Sequence, residues 1–265
     1  MLGSAATAQE TATTGQAVTK QAATEQPATE EIDALITDRP DFTESAQTIA
    51  AGRVQIEGGA SFERAGSAKT TTFGETLIRV ATGTKSELRI GVPSYLSIRD
   101  GVGNSGLDDG SLGVKFALAP GSGFGFKRPA LAVIVATGVP SGARRIAART
   151  YAPEVKLVAA VDLNRRLSFA TNVGVARPTD GRERFTQFIG TASFAYGVSE
   201  KIGAYLEGFA FSKTDATGNG ARFLNTGLTF LVNPDFQLDA RVGLGVNNDV
   251  GGPDFFGGIG LARRF

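Results

Sequence analysis

The sequence predicts an all-β fold: a transmembrane antiparallel β-barrel of about twelve strands behind a disordered N-terminal arm. Three observations predict it. From Gly52 onward, apolar and polar residues alternate with period two, which is the signature of strands with two unlike faces. Twelve such segments follow one another, joined alternately by tight turns and longer loops. The segments also run to about 10–14 residues, beyond the usual 5–6 and enough for a tilted strand to cross a bilayer.

Residues 1–30 come first, a low-complexity Ala/Thr/Gln/Glu tract with Leu2 and Val18 as its only large aliphatics. It has too little apolar surface to offset the entropy of ordering, so a flexible arm is expected. Ala6-Thr7-Ala8 has the small-x-small form of a signal-peptidase site, which makes 1–8 a candidate signal-peptide remnant. The apolar stretch that should precede such a site is absent. Residues 31–51 form a junction, and 52–265 the barrel.

Along the barrel the elements are read in order from starts near 52, 70, 86, 108, 127, 151, 166, 184, 201, 220, 235 and 255. In the first, Val54, Ile56, Gly58, Ala60 and Phe62 share one face, and Gln55, Glu57, Ser61 and Glu63 the other. In the third, Leu88, Ile90, Val92 and Leu96 oppose Glu87, Arg89, Gly91 and Tyr95. In the sixth, Val155, Leu157, Ala159, Val161 and Leu163 oppose Glu154, Lys156, Val158 and Asp162. In the eleventh, Phe236, Leu238, Ala240, Val242, Leu244 and Val246 oppose Gln237, Asp239, Arg241, Gly243 and Gly245.

Tight turns are expected at Gly83-Thr84, Asn164-Arg165, Ser199-Glu200 and Asn233-Pro234, and long loops around 99–107, 140–150, 178–183, 212–219 and 247–254. The connection 119–126 breaks this alternation by being long where a short turn is due. Short turns on one side and long loops on the other, with an even strand number, is the layout of an outer-membrane barrel of a Gram-negative bacterium, with both termini periplasmic.

Alternation also builds soluble sandwiches. The polar face here is mostly Gly, Ser, Ala, Thr and charge, which suits a lumen better than a shared core. Trp is absent and Tyr numbers four, so Phe62, Phe188, Phe194, Phe230, Phe236 and Phe265 must serve as the aromatic girdle. Phe265 ends the chain in phase with Phe255, Gly257, Ile259 and Leu261. A terminal aromatic on an amphipathic strand is expected to be the signal read by the barrel-assembly machinery. Arg263 departs from that pattern and is expected to snorkel at the rim.

The residues from Ile36 to Phe62, "ITDRPDFTESAQTIAAGRVQIEGGASF", carry a resemblance. Asp38, Arg39, Pro40, Asp41, Phe42, Thr43 and Ser45, then Gly52, Gln55 and Glu57, are similar to the opening of a family of proteobacterial outer-membrane proteins. That family is labelled transporter-like, or as a meta-pathway of phenol degradation. Glu75 to Val92, Asn225 to Asn247 and the closing "FFGGIGLARRF" resemble it too, so the similarity covers 32–265. The resemblance implies an outer-membrane barrel with a transport role and no particular substrate.

Composition narrows the chemistry. The chain has no His and no Cys, so the Ser-His and Cys-His nucleophiles, His metal ligands and zinc thiolates are excluded. No enzyme, metal or cofactor is expected. Net charge is +1, but residues 1–50 carry two bases against eight acids, a balance of −6, and the remainder 25 bases against 18 acids, or +7. No dense Lys/Arg run with interleaved aromatics appears, so nucleic acid is not an expected partner. The expected partners are outer-membrane lipids, the assembly machinery through the last strand, and a small solute.

Candidate site residues follow from the pattern. Asp38-Arg39-Pro40-Asp41 enters the first strand as a clasp or plug folded inward across the periplasmic mouth. Arg39 would pair there with Glu57, Glu87, Glu207 or Asp239. The lumen charges Glu57, Glu87, Arg89, Lys115, Glu154, Lys156, Asp162, Glu207, Asp239, Arg241 and Arg264 are of both signs, which points to a salt-bridged interior or a narrow polar path. Phe73, Tyr95, Tyr205, Phe209 and Phe211 fall in register with lumen-facing or loop-proximal positions. Arg144, Arg145 and Arg149 lie where lipopolysaccharide phosphates would be, and a solvated loop is the simpler reading. "GSGFGF" and "GVGNSG" lack the Lys-Ser/Thr and helix of a phosphate loop. The expected function is passive passage of small, hydrophobic or aromatic solutes; the alternative is a structural barrel with a sealed lumen.

Overall fold

The computed structural model describes residues 35–101, 103–181, 183–218, 220–246 and 252–265. The arm 1–30 and its signal-like site lie outside the described residues. Among the described residues, fourteen strands run in chain order: β1 Val54–Ala65, β2 Ala68–Ala81, β3 Ser86–Gly91, β4 Tyr95–Arg99, β5 Asn104–Leu107, β6 Gly110–Pro120 and β7 Ala130–Val139. β8 Ala152–Asp162, β9 Leu167–Ala176, β10 Gln187–Gly197, β11 Ile202–Phe211, β12 Ala221–Asn233, β13 Phe236–Gly245 and β14 Phe255–Arg264 complete the set.

They form twelve positions around a closed wall. β3 and β4 both pair with β2, as two halves of one barrel strand interrupted at 92–94, where Pro93 has no N–H to give the ladder. β5 and β6 are likewise two halves of the next, pairing with β4 and β3. Every other neighbour is antiparallel and sequential. β1 closes the ring by pairing with β14, from Gln55 opposite Arg264 to Arg64 opposite Phe255. The stretch 99–107, expected as a loop, is thus partly sheet. The connection 121–129 is long because it folds against the end of β8, where Gly125 N–H donates to the Asp162 carbonyl at 2.7 Å. Among the described residues no helix is long and apolar enough to cross a membrane, which says nothing of a β-barrel.

The alternation read from the sequence sets the two faces. Leu157, Leu238 and Leu244 are exposed on the outside, and Leu88 and Ile90 share that register half-buried. Val161 keeps the outward register yet is buried, beside the point where Phe124 bridges to Asp162. Outward aromatics gather near both ends of the wall. Phe62 meets Phe255 at 5.6 Å near the long loops, while Phe169 meets Phe194 at 4.9 Å and Phe126 at 6.0 Å near the short turns.

One departure has a clear cause. Between the pairs Glu57–Leu77 and Gly59–Gly74, β2 carries an extra residue, Glu75 and Thr76 standing opposite Gly58 alone, and φ is +104° at Gly74 and +40° at Glu75. Inward-facing Leu77 and Arg79 are therefore preceded by outward-facing Phe73, which pairs with Tyr95. Phe73 and Tyr95 do not face the lumen; both are about half exposed on the outside, at 53% and 45%.

Candidate functional site

The interior of the barrel is occupied by residues 35–50. This segment has no helix or strand of its own, so its backbone donors need other partners at membrane depth. Wall carboxylates supply them. Glu57 of β1 accepts the Asp38 N–H at 3.0 Å, Glu87 of β3 accepts that of Ile49 at 2.9 Å, and Glu207 of β11 accepts those of Phe42 at 2.9 Å and Thr43 at 2.6 Å. Asn225 of β12 donates to the other side of Glu207 at 2.9 Å. Gln55 holds the Ile36 carbonyl at 2.8 Å and Gln237 the Thr37 hydroxyl at 3.1 Å.

Asp38 is the centre of the first charged cluster. Arg89 donates to its carboxylate, Lys115 stands 2.9 Å away and Arg79 3.5 Å, while its other oxygen accepts the Ser45 N–H at 2.8 Å. Burial alone would raise the Asp38 carboxyl, but Arg79, Lys115 and Arg89 together hold it well below the usual carboxylate range. Arg79 also forks onto Glu87 at 2.9 Å and Glu57 at 3.0 Å, with all three side chains almost fully buried.

Arg39 leaves the segment in another direction. Its guanidinium meets Glu75 at 3.0 Å and Asp239 at 3.3 Å, and Arg241 approaches Glu75 at 3.4 Å and the Pro40 carbonyl at 3.2 Å. Gly59 and Gly260 make room for it, since a Cβ on either would collide with the guanidinium. The Arg39–Pro40 peptide bond is cis. Asp41 sits against Ser193, whose hydroxyl donates to it at 3.0 Å. Burial, then the charge of Glu207, push the Asp41 carboxyl up to about 8.

Apolar contacts finish the packing. Phe42 stacks on Phe209 at 4.9 Å and meets Phe211 edge-on at 5.4 Å; Phe209 stacks on Phe223 at 4.7 Å, and Phe256 closes the group at 6.0 Å from Phe223. Ala46 packs on the inner wall formed by Ala132, Ile134 and Val158. Among the described residues, cavities border the segment on two sides. One, of about 510 Å³, opens at the short-turn end and is bordered by Asp41, Ala130, Asp162, Tyr205 and Gln237. The other, of about 240 Å³, lies toward the long loops, bordered by Arg89, Ile134, Gly138 and Glu154.

The sequence-derived residues therefore divide. Glu57, Glu87, Arg89, Lys115, Glu207, Asp239 and Arg241 all point inward, and the first six are buried. Asp38, Arg39, Pro40 and Asp41 lie among them. Arg264 pairs with Asp235 at 2.9 Å by the short turn that links β12 to β13. Phe265 extends the seam, exchanging backbone bonds of 2.8 and 3.3 Å with Val54, and Arg263 lies 5.8 Å over its ring. Arg149 turns back onto the Gly142 carbonyl at 2.8 Å, leaving Arg144 and Arg145 exposed. Arg79, Glu75 and Glu44 also belong to this network of ion pairs, and alternation missed them. A charge inside the apolar run "TLIRVA" was the available signal for Arg79. Among the described residues no cluster of side chains is set to hold a metal ion.

The architecture is that of an outer-membrane β-barrel. It is similar to the crystal structure of an outer membrane channel from Pseudomonas putida F1, at 11% identity and a TM-score of 0.61 over 86% of this chain and 100% of that one. It is also similar to the NanC porin, at 14% identity and a TM-score of 0.53 over 79% of this chain and 98% of that one. No curated protein matches the sequence. A family model matches residues 37–265, and the chain belongs to the family described as "Putative MetA-pathway of phenol degradation".

Proposed function

We propose that this chain is a narrow, passive outer-membrane channel for small hydrophobic or aromatic solutes, with Asp38-Arg39-Pro40-Asp41 as the clasp that fixes residues 35–50 in the lumen. The observation that carries the reading is the pair of cavities, about 510 and 240 Å³, that border that segment. A structural strut would have no need of them. Tyr205 borders the larger cavity, and the Phe209 and Phe211 rings lie farther up the same strand. The mixed charge of the lumen suits an uncharged solute, since one-sign rings are what select ions. The likeness to a channel from Pseudomonas putida F1 supports the same reading.

Periplasmic termini are part of the proposal, supported by Phe265 lying at the short-turn end. Phe265 is then the residue read by the assembly machinery. The test is swelling of proteoliposomes in small aromatic alcohols and in sugars of rising size. The channel reading expects passage of the former and a sharp size limit on the latter. The filled lumen favours a second reading, a sealed structural barrel, which expects no swelling with any solute.

A further inference from the structure

We infer that the Glu44–Lys156 ion pair is the constriction of the lumen, the point where the two cavities meet; this rests on the channel reading above. Glu44 borders both cavities. The strands give their order along the barrel. On β8 the loop-side cavity reaches Ala152 and Glu154, and the turn-side cavity reaches Ala160 and Asp162. On β7 the loop-side cavity touches Ala136, Thr137 and Gly138, and the turn-side cavity only Ala130.

Lys156 stands between them on β8. Its Nζ is 3.1 Å from Glu44 Oε1 and 2.9 Å from Glu154 Oε1, while Arg89 of β3 reaches Glu44 Oε2 at 3.4 Å. Glu44 thus bridges the gap between the segment and the wall. Two residues on, Ala46 seals the segment to that same wall through apolar contact with Ala132, Ile134 and Val158.

The pair differs from the charges that anchor the segment. Arg79 and Glu87 are wholly buried, at 0% side-chain exposure each, and separating them would strand two dry charges. Glu44 retains 17% because it faces both cavities, and Lys156 behind it retains 8%, so Glu44 can swing away at lower cost. The face of Phe42 already lies 5.4 Å from Lys156 Nζ. An aromatic solute can present the same π-face to the ammonium as Glu44 moves aside. Glu44 and Lys156 are therefore specificity-determining residues for uncharged, ring-bearing solutes.

Single-channel recording on the full chain, with reversal potentials in a KCl gradient, tests this. Glu44→Gln is expected to raise unit conductance about two-fold or more and shift selectivity toward anions, since one negative charge is removed between Lys156 and Arg89. Lys156→Gln is expected to raise conductance and shift selectivity toward cations. Lys156→Arg keeps the charge pair, and so guards against mere misfolding; it should leave both quantities near wild type. A silent wild type that opens in either Gln variant also supports the constriction. A conducting wild type whose Gln variants keep its conductance and reversal potential overturns the constriction and leaves the channel intact. Silence in all four proteins, each shown folded by its heat-modifiable gel mobility, overturns both.

Discussion

Arg39 concentrates the chemistry of the lumen in one side chain. Its planar fork reaches carboxylates on β2 and β13, far apart in sequence, and so ties the N-terminal segment across the seam between them. Arg39→Ala would leave Asp239 without its direct ion-pair partner and Glu75 with Arg241 alone. The expected cost is about 3–5 kcal/mol, read as a lower melting point of the heat-modifiable band, with unit conductance unchanged because Glu207 and Asp38 still hold the segment. Asp41 adds a pH dependence. Its carboxyl is raised from an ordinary 3.8 to about 8, so its contribution to stability is full below 3.8 and is lost as pH rises through 8. Asp38 has the opposite sign and weakens the fold only as pH falls through its depressed value. Heat stability should therefore decline between pH 4 and pH 9, and Asp41→Asn should flatten that decline; an equal slope in the variant would remove Asp41 as the cause. At the chain's end, Phe265→Ser is expected to lower surface levels in cells far more than refolding into detergent, and equal losses in both would count against a recognition role.

The strands show which physics was readable before any coordinates. Glu57, Glu87, Glu207 and Asp239 were legible because strict alternation puts them opposite aliphatics, and the wall keeps that register on β1, β3, β11 and β13. The twelve-strand count and the four tight turns were legible for the same reason. Arg79 and Glu75 were not, because the bulge in β2 inserts one residue and inverts the parity beyond it. The same inversion turned Phe73 and Tyr95 outward. The break at 92–94 was hidden by reading across Pro93 as though its N–H were available, and β5 because 99–107 reads as a loop. An outward position can be tested directly. Leu157 is 54% exposed midway along β8, and Leu157→Arg is expected to cost about 2–4 kcal/mol in urea-dependent folding into liposomes. A cost near zero would place that side chain away from lipid.

Across the whole molecule, the wall and its filling are one design. The barrel supplies carboxylates and amides, an irregular segment supplies backbone donors, and each satisfies what the other could not leave bare in a membrane. The segment's own fold was not legible beyond Asp38-Arg39-Pro40-Asp41, since it has no periodicity and its partners lie up to 220 residues away. Composition had already set aside the familiar catalytic machinery, and the cavities beside the segment turn the question to passage. The measurement that bears most directly on that is the current through full-length protein in a planar bilayer, with folding verified on the same sample. The account predicts discrete, reproducible steps, small compared with those of an unobstructed porin, that fall when an aromatic alcohol is added to the bath. A correctly folded barrel that adds no current to the bare bilayer, and takes up no solute in proteoliposomes, would contradict it.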